Sequence, residues 1–273
     1  MAIKAYDELT IQDNFIFQKI MRNKRICMQT LERLLNIDVK DISYPEEEKS
    51  INVRLDSKSI RLDLYVNDDN GSVYNIEMQT TKDMEELVKR TRYYQAMIDI
   101  DLLEKGQSYD ALNDTFIIFI CSFEVFTGKL HKYTFKNMCM ENHGIDLDDG
   151  TTKMFLSTKG EADDISKPLK IFLDYVDGHA PADEFTREID SEVMIAKNRD
   201  EWRREYMTLA LEMEKEKKLS WEAGKAEGKA EGKAEGKIEM AIDLFRKGAI
   251  TEDVAALAAG ISVEELRKAM LVS

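Results

Sequence analysis

Two short segments carry residues whose types and spacing could do chemistry. Together they read IRLDLYVNDDNGSVYNIEMQ, from Ile60 to Gln79. Ile60, Leu62, Leu64 and Val66 alternate with Arg61, Asp63 and Tyr65, and Tyr74, Ile76 and Met78 alternate with Val73, Asn75, Glu77 and Gln79. A period of two is the mark of a strand. Asp69-Asn70-Gly71 fits a three-residue hairpin loop with Gly71 in the left-handed position. With Asp68 across from Ser72, Asp63 falls opposite Glu77, and Gln79 lies on the same face one step further along. Two opposed carboxylates repel and weaken a strand pair. A divalent cation between them removes that penalty. Mg²⁺ is typically held by one or two carboxylates together with waters and substrate phosphate. There it polarises the phosphoryl group and activates a water. Gln79 could orient water or phosphate but supplies no charge. The same spacing also fits a solvated hairpin face with an incidental acid pair, and spacing alone leaves both readings open.

Two further segments could serve that chemistry. Asp13 opens the first helical pattern in Asp13-Asn14-Phe15-Ile16-Phe17, as a first-turn acid or as a third carboxylate reaching a metal. Arg90 and Tyr94 stand four apart on a later helix and share a face, either as a solvated pair or as a phosphate-facing cation beside a polar aromatic.

The elements that must position these residues are legible in outline. Phe15, Phe17, Ile20, Met21, Met28, Leu31, Leu34 and Leu35 recur at spacings of three and four, which predicts a helix over Ile11–Leu35. From Ile51 to Gln79 the period is two. Asp83–Lys105 returns to helical spacing and is expected to end at Gly106. Phe116–Phe126 is a continuous apolar run suited to a buried strand, and a turn at Thr127-Gly128-Lys129 predicts Leu130–Phe135 as its partner. Thr152–Ser157 reads as one more strand and Ser166–Val176 as a short helix. Helix, strands, helix, strands make an α/β or α+β domain.

Beyond about Asp183 the chain is charge-dense and helical to Leu219. Then Glu222-Ala-Gly-Lys is followed by three copies of Ala-Glu-Gly-Lys, ending at Lys237. A four-residue period on a helix stacks Glu227, Glu231 and Glu235 in one stripe and Lys225, Lys229, Lys233 and Lys237 in another. Like charges at that spacing destabilise a helix, and each glycine costs about 1 kcal/mol against alanine. The segment is therefore either a flexible linker or a helix held by packing along its glycine row. Ser262-x-x-Glu265 is a capping box opening a last helix. Around Gly260 the spacing suits either a helix-turn-helix corner or a plain helical hairpin. The predicted organisation is residues 1–182, a charged segment over 183–237, and a small helical module over 238–273.

Length and composition bound the function. The chain has 273 residues, 43% hydrophobic and 34% charged, enough for a sizeable core in one large domain or two smaller ones. No run of about 18 apolar residues is present, so no membrane helix is expected. The first residues have no apolar stretch of the secretory kind. Cys27, Cys121 and Cys139 are odd in number and far apart, as expected of reduced thiols in a cytoplasmic protein. His131, His143 and His179 lack ligand spacing, which argues against structural zinc. Thirty-nine basic against fifty-three acidic residues give a net charge of −14. That opposes strong non-specific nucleic-acid binding. It leaves room for a local site where metal ions supply the positive charge.

The combination of Arg61-Leu62-Asp63 with Ile76-Glu77-Met78-Gln79 resembles the PD-(D/E)XK nuclease core in its E-x-Q form. Asp13–Phe17, Lys89–Gln95, Gly106–Tyr109 and the strand Phe116–Phe126 further resemble the Rpn family of recombination-promoting nucleases, also described as PD-(D/E)XK family transposases. The resemblance covers about residues 5 to 180. It implies an α/β, restriction-endonuclease-like fold with a helical C-terminal extension. It also implies Mg²⁺- or Mn²⁺-dependent cleavage of DNA in recombination or for a mobile element. By position, Asp63 and Glu77 match the metal-binding acids, Asp13 an acid on the first helix, and Gln79 a position that is lysine in many relatives. Arg90 and Tyr94 are the candidates for substrate phosphate. The expected partners are DNA and a second copy of the chain, joined through the C-terminal helices, with no membrane. The rival reading is a nuclease-fold protein without catalysis that binds and assembles through those helices.

Overall fold

The computed structural model describes residues 4–43, 50–51 and 60–272. Along the chain, α1 (Asn14–Met21) and α2 (Lys24–Leu35) precede β1 (Ile42–Ser43), β2 (Ser50–Ile51), β3 (Ile60–Arg61), β4 (Leu64–Asp68) and β5 (Val73–Gln79). Then come α3 (Met84–Leu102), β6 (Thr115–Cys121), β7 (Lys132–Phe135), β8 (Thr151–Ser157), α4 (Lys167–Val176) and α5 (Glu184–Lys197). The long α6 (Asp200–Arg246), α7 (Glu252–Ala259) and α8 (Val263–Val272) complete the chain.

Six strands form one mixed sheet in the order β1-β4-β5-β6-β8-β7, and β2 pairs with β3 separately. The three inner strands β5, β6 and β8 run parallel, and the outer pairings are antiparallel. Strand β6 is TFIIFIC and lies mid-sheet, as a strand apolar on both faces requires. Helix α3 covers one sheet face. Its Leu87, Tyr94, Met97 and Ile98 join Tyr65, Val73, Ile117, Phe119 and Phe155 in a buried cluster. Phe119 stacks on Phe155 with centroids 5.5 Å apart and on Tyr94 at 6.3 Å. Fully burying each such side chain is worth roughly 1.5–3 kcal/mol.

The sequence reading needs four corrections. The helix expected over Ile11–Leu35 is two helices. Asn23 breaks it by accepting from the Arg25 and Ile26 amides at 3.2 and 3.4 Å, capping α2. The helix from Glu184 likewise breaks at Asn198, between α5 and α6. Helix α3 ends at Leu102, and Gly106 (φ +96°) serves a turn beyond it instead of the cap. Strand β6 stops at Cys121, and β7 pairs with β8, not with β6. Both edges of β6 are taken by parallel partners, so the half-exposed β7 goes to the rim. The strand pattern expected across 52–59 lies outside the described residues.

The chain divides into two compact units, one ending at Tyr206 and one beginning at Met207. In the first, α5 buries Phe185, Ile189, Val193 and Ala196, and the Tyr6 hydroxyl donates to the Ala196 carbonyl at 2.8 Å. The first turn of α6 belongs to it too: Glu205 pairs with the buried Lys19 at 2.6 Å. In the second, the Ala-Glu-Gly-Lys repeat is helix. Among the described residues nothing outside the helix's own backbone comes within 4 Å of where a Cβ would stand at Gly224, Gly228, Gly232 or Gly236, so the glycine row packs on none of them. The end of α6 packs with α7 and α8 through Ala241, Ile242, Ala255, Ala256, Ala259 and Leu266. The capping box is present. The Ser262 amide donates to Glu265 Oε2 at 2.8 Å and the Glu265 amide to Ser262 Oγ at 3.2 Å. Among the described residues no helix is long and apolar enough to cross a membrane.

Candidate active site

The hairpin closes as the alternation requires. The Asp68 amide donates to the Ser72 carbonyl at 3.0 Å, Gly71 adopts φ +86°, and Leu64 stands opposite Ile76. One step further the ladder gives way to side chains. The Asp63 amide donates to Glu77 Oε1 at 3.1 Å, and the Met78 amide donates to Asp63 Oδ2 at 3.3 Å. The Glu77 carboxylate is thus locked to the Asp63 backbone, and the Asp63 carboxylate to the backbone of Met78 next to Glu77, at the mouth of the hairpin.

Strand β5 ends at Gln79, and Asp83 caps α3 by accepting from the Glu86 amide at 3.0 Å. So short a connection folds α3 straight back over the strand end. The face that buries Leu87 and Tyr94 then carries Arg90 to Glu77. Arg90 Nη2 donates to Glu77 Oε2 at 3.2 Å and to the Tyr94 hydroxyl at 2.7 Å, and Nη1 donates to Gln79 Oε1 at 3.4 Å. Its guanidinium also lies over the Tyr94 and Phe119 rings, 5.1 and 5.5 Å from their centroids.

Glu77 is only 2% exposed. Burial pushes its carboxyl up to about 8, and the charge of Asp63 adds to the rise, against the opposing pull of the Asp63 amide, Arg90 and Asn75. The Tyr94 hydroxyl is pushed up to about 12, by burial first and by Glu77 second. Arg90 therefore pairs with Glu77 in a nearly dry setting, with the charge of Asp63 close by.

Asp13 has a different task from the one expected. It stands at the N-terminus of α1, but its carboxylate pairs with Lys4 at 2.8 Å and accepts from the Thr10 amide at 2.8 Å. Among the described residues no three of His, Cys, Asp and Glu come together in a metal-holding group, so Asp13 does not join Asp63 and Glu77. What α1 brings is Gln18, whose Nε2 donates to Asp63 Oδ1 at 3.3 Å. The sequence reading missed it, although Gln18 is a polar residue among buried Phe15, Ile16, Phe17, Ile20 and Met21. It also passed over Asn75, two residues before Glu77 on the same face. Asn75 is fully buried, and among the described residues its amide has no hydrogen bond of normal geometry, although it lies near enough to Glu77 to favour the carboxylate. A buried amide so placed beside Glu77 fits a site that takes up a further polar group.

A family model described as PD-(D/E)XK nuclease family transposase matches residues 13–158. The chain belongs to that family. The match runs from the cap of α1 to the end of β8, so it takes in Asp63, Glu77, Gln79, Arg90 and Tyr94. It includes the sheet and α3, and it stops before α4. No curated protein and no solved structure matches the chain. Membership in the PD-(D/E)XK family gives the chain a nuclease- or transposase-type domain, a class of hydrolase acting on DNA and generally using divalent metals. An opposed acid pair of this kind fits such an ion, which needs one or two carboxylates and fills its other positions with water and phosphate.

Proposed function

We propose that this protein is a Mg²⁺- or Mn²⁺-dependent DNA endonuclease of the cytoplasm, used in DNA recombination or by a mobile element. The observation that carries the proposal is the contact between Asp63 and Glu77, two acids brought together at a buried strand end with Arg90 paired to Glu77. Asp63 and Glu77 would hold the ion, which would polarise the scissile phosphate and make an attacking water more acidic. The Asp63 and Met78 amides keep the two carboxylates in register. Gln79 and Asn75 are neutral at every working pH and take no proton, so their part is to orient water and phosphate oxygen. Arg90 supplies the positive charge that Gln79 does not, and Tyr94 anchors the guanidinium. Assembly is proposed to run through the C-terminal helices, where Leu211, Leu219 and Trp221 of α6 are exposed.

Plasmid nicking by the purified full chain tests the reading. Nicking is expected with Mg²⁺ or Mn²⁺, not in chelator, and not by Asp63→Asn. Metal-independent nicking, or nicking by Asp63→Asn at the wild-type rate, removes it. A well-folded protein that binds Mn²⁺ without nicking any DNA leaves the assembly reading in its place.

A further inference from the structure

Each of the four carboxylate oxygens of the acid pair already accepts a hydrogen bond from the protein. Glu77 Oε1 has the Asp63 amide and Asp63 Oδ2 has the Met78 amide. Both donors are backbone groups fixed by the strands. Asp63 Oδ1 has Gln18 and Glu77 Oε2 has Arg90, and these donors are side chains that can move. A divalent ion reaching Glu77 Oε2 meets the guanidinium there. Two cations on one buried oxygen repel strongly, because little water screens them. One must leave, and Arg90, held here by side chains and not by backbone, is the one that a rotamer change can move.

Where it would go is set by exposure. Glu77 is 2% exposed, whereas the Arg90 side chain is 24% exposed. The Arg90 side chain thus reaches solvent where Glu77 does not, and solvent is where a phosphate would meet it. Its fork is suited to phosphate, but in this arrangement the fork is occupied by Glu77, Gln79 and Tyr94.

We infer that Arg90 is a latch that couples phosphate recognition to metal loading. Without metal it is held by Glu77, Gln79 and Tyr94. Once a divalent ion holds Glu77, Arg90 is released to the phosphate of the nucleic acid. This rests on the proposed metal site and adds an order to it, metal first and substrate second. It also gives the protein a reason not to grip DNA while unable to cut it.

The test uses the full chain, a labelled DNA duplex, fluorescence anisotropy, and Ca²⁺ in place of Mg²⁺ to bind without cleavage. Arg90→Met is expected to weaken DNA binding about tenfold with Ca²⁺, the size of one charge-assisted hydrogen bond, and to leave it unchanged in chelator. Glu77→Leu keeps the bulk but removes the acceptor of the guanidinium, so it should bind DNA several-fold tighter than wild type in chelator. The double variant Glu77→Leu with Arg90→Met should lose that gain. Equal weakening by Arg90→Met with and without Ca²⁺ overturns the latch, as does a gain that survives in the double variant. Mn²⁺ calorimetry on the wild type judges the metal site separately. An absent heat there overturns the metal-first order, and the chelator comparison still decides whether Glu77 restrains Arg90.

Discussion

Glu77→Gln should make the metal-free protein more stable, and by more as the pH rises. Glu77 has an ordinary carboxyl pKa when unfolded and one near 8 when folded. The folded state therefore binds this proton more tightly than the unfolded state. The stability it gives is full below about pH 4.5 and is lost as the pH climbs through 8. At about 1.4 kcal/mol per unit of pKa, the loss between pH 5 and pH 9 is on the order of 4 kcal/mol. Glutamine fills the same space, can accept from the Asp63 amide, and has nothing to titrate. The two proteins should thus melt within a few degrees of each other at pH 5 and separate by roughly 10 °C at pH 9, taking about 2–4 °C per kcal/mol for a unit of this size. Melting curves in chelator across that range read the effect. Saturating Mg²⁺ at pH 8 should then raise the wild-type Tm by mass action and raise the variant less. If the two curves run parallel from pH 5 to pH 9, Glu77 is not held uncharged by burial and by Asp63, and the argument for a site in need of positive charge fails.

Four other outcomes follow from the structure. Gln79→Lys puts an ammonium where Gln79 Oε1 now accepts from Arg90 at 3.4 Å, so it should lower stability by about 1–2 kcal/mol and leave nicking no faster. Replacing Gly224, Gly228, Gly232 and Gly236 by alanine meets open space on a formed helix, so far-UV circular dichroism should show a more heat-resistant helix, each change contributing about 1 kcal/mol. A chain ended after Pro181 loses the buried Phe185, Ile189, Val193 and Ala196, at roughly 1.5–3 kcal/mol for each large side chain, and should not fold. A chain ended after Tyr206 should stay soluble and melt cooperatively.

The sequence by itself determined the hairpin and its acids. Period-two alternation fixes which residues share a face, and the loop Asp69-Asn70-Gly71 fixes the register, so Asp63 beside Glu77 follows from counting. The family resemblance was equally legible, because its motif residues cluster from the end of β3 through β5 to α3, close along the chain. Helix breaks at Asn23 and Asn198 were not, because the apolar spacing continues across them and only the capping bonds end the helices. Pairing of β7 was not legible either. Two strands joined by a turn look like a hairpin until a later strand, β8, takes the edge between them. The site shows the same division. Asp13 and Gln18 lie on one helix, and only the packing of α1 against the strands decides that Gln18 reaches Asp63 while Asp13 turns to Lys4. Arg90 and Tyr94 share a face by spacing alone, but that this face closes over Glu77 depends on the short return from β5 into α3. Local periodicity sets what each element presents. Which elements meet is set by burial across long stretches of chain, and that is a property of the folded whole.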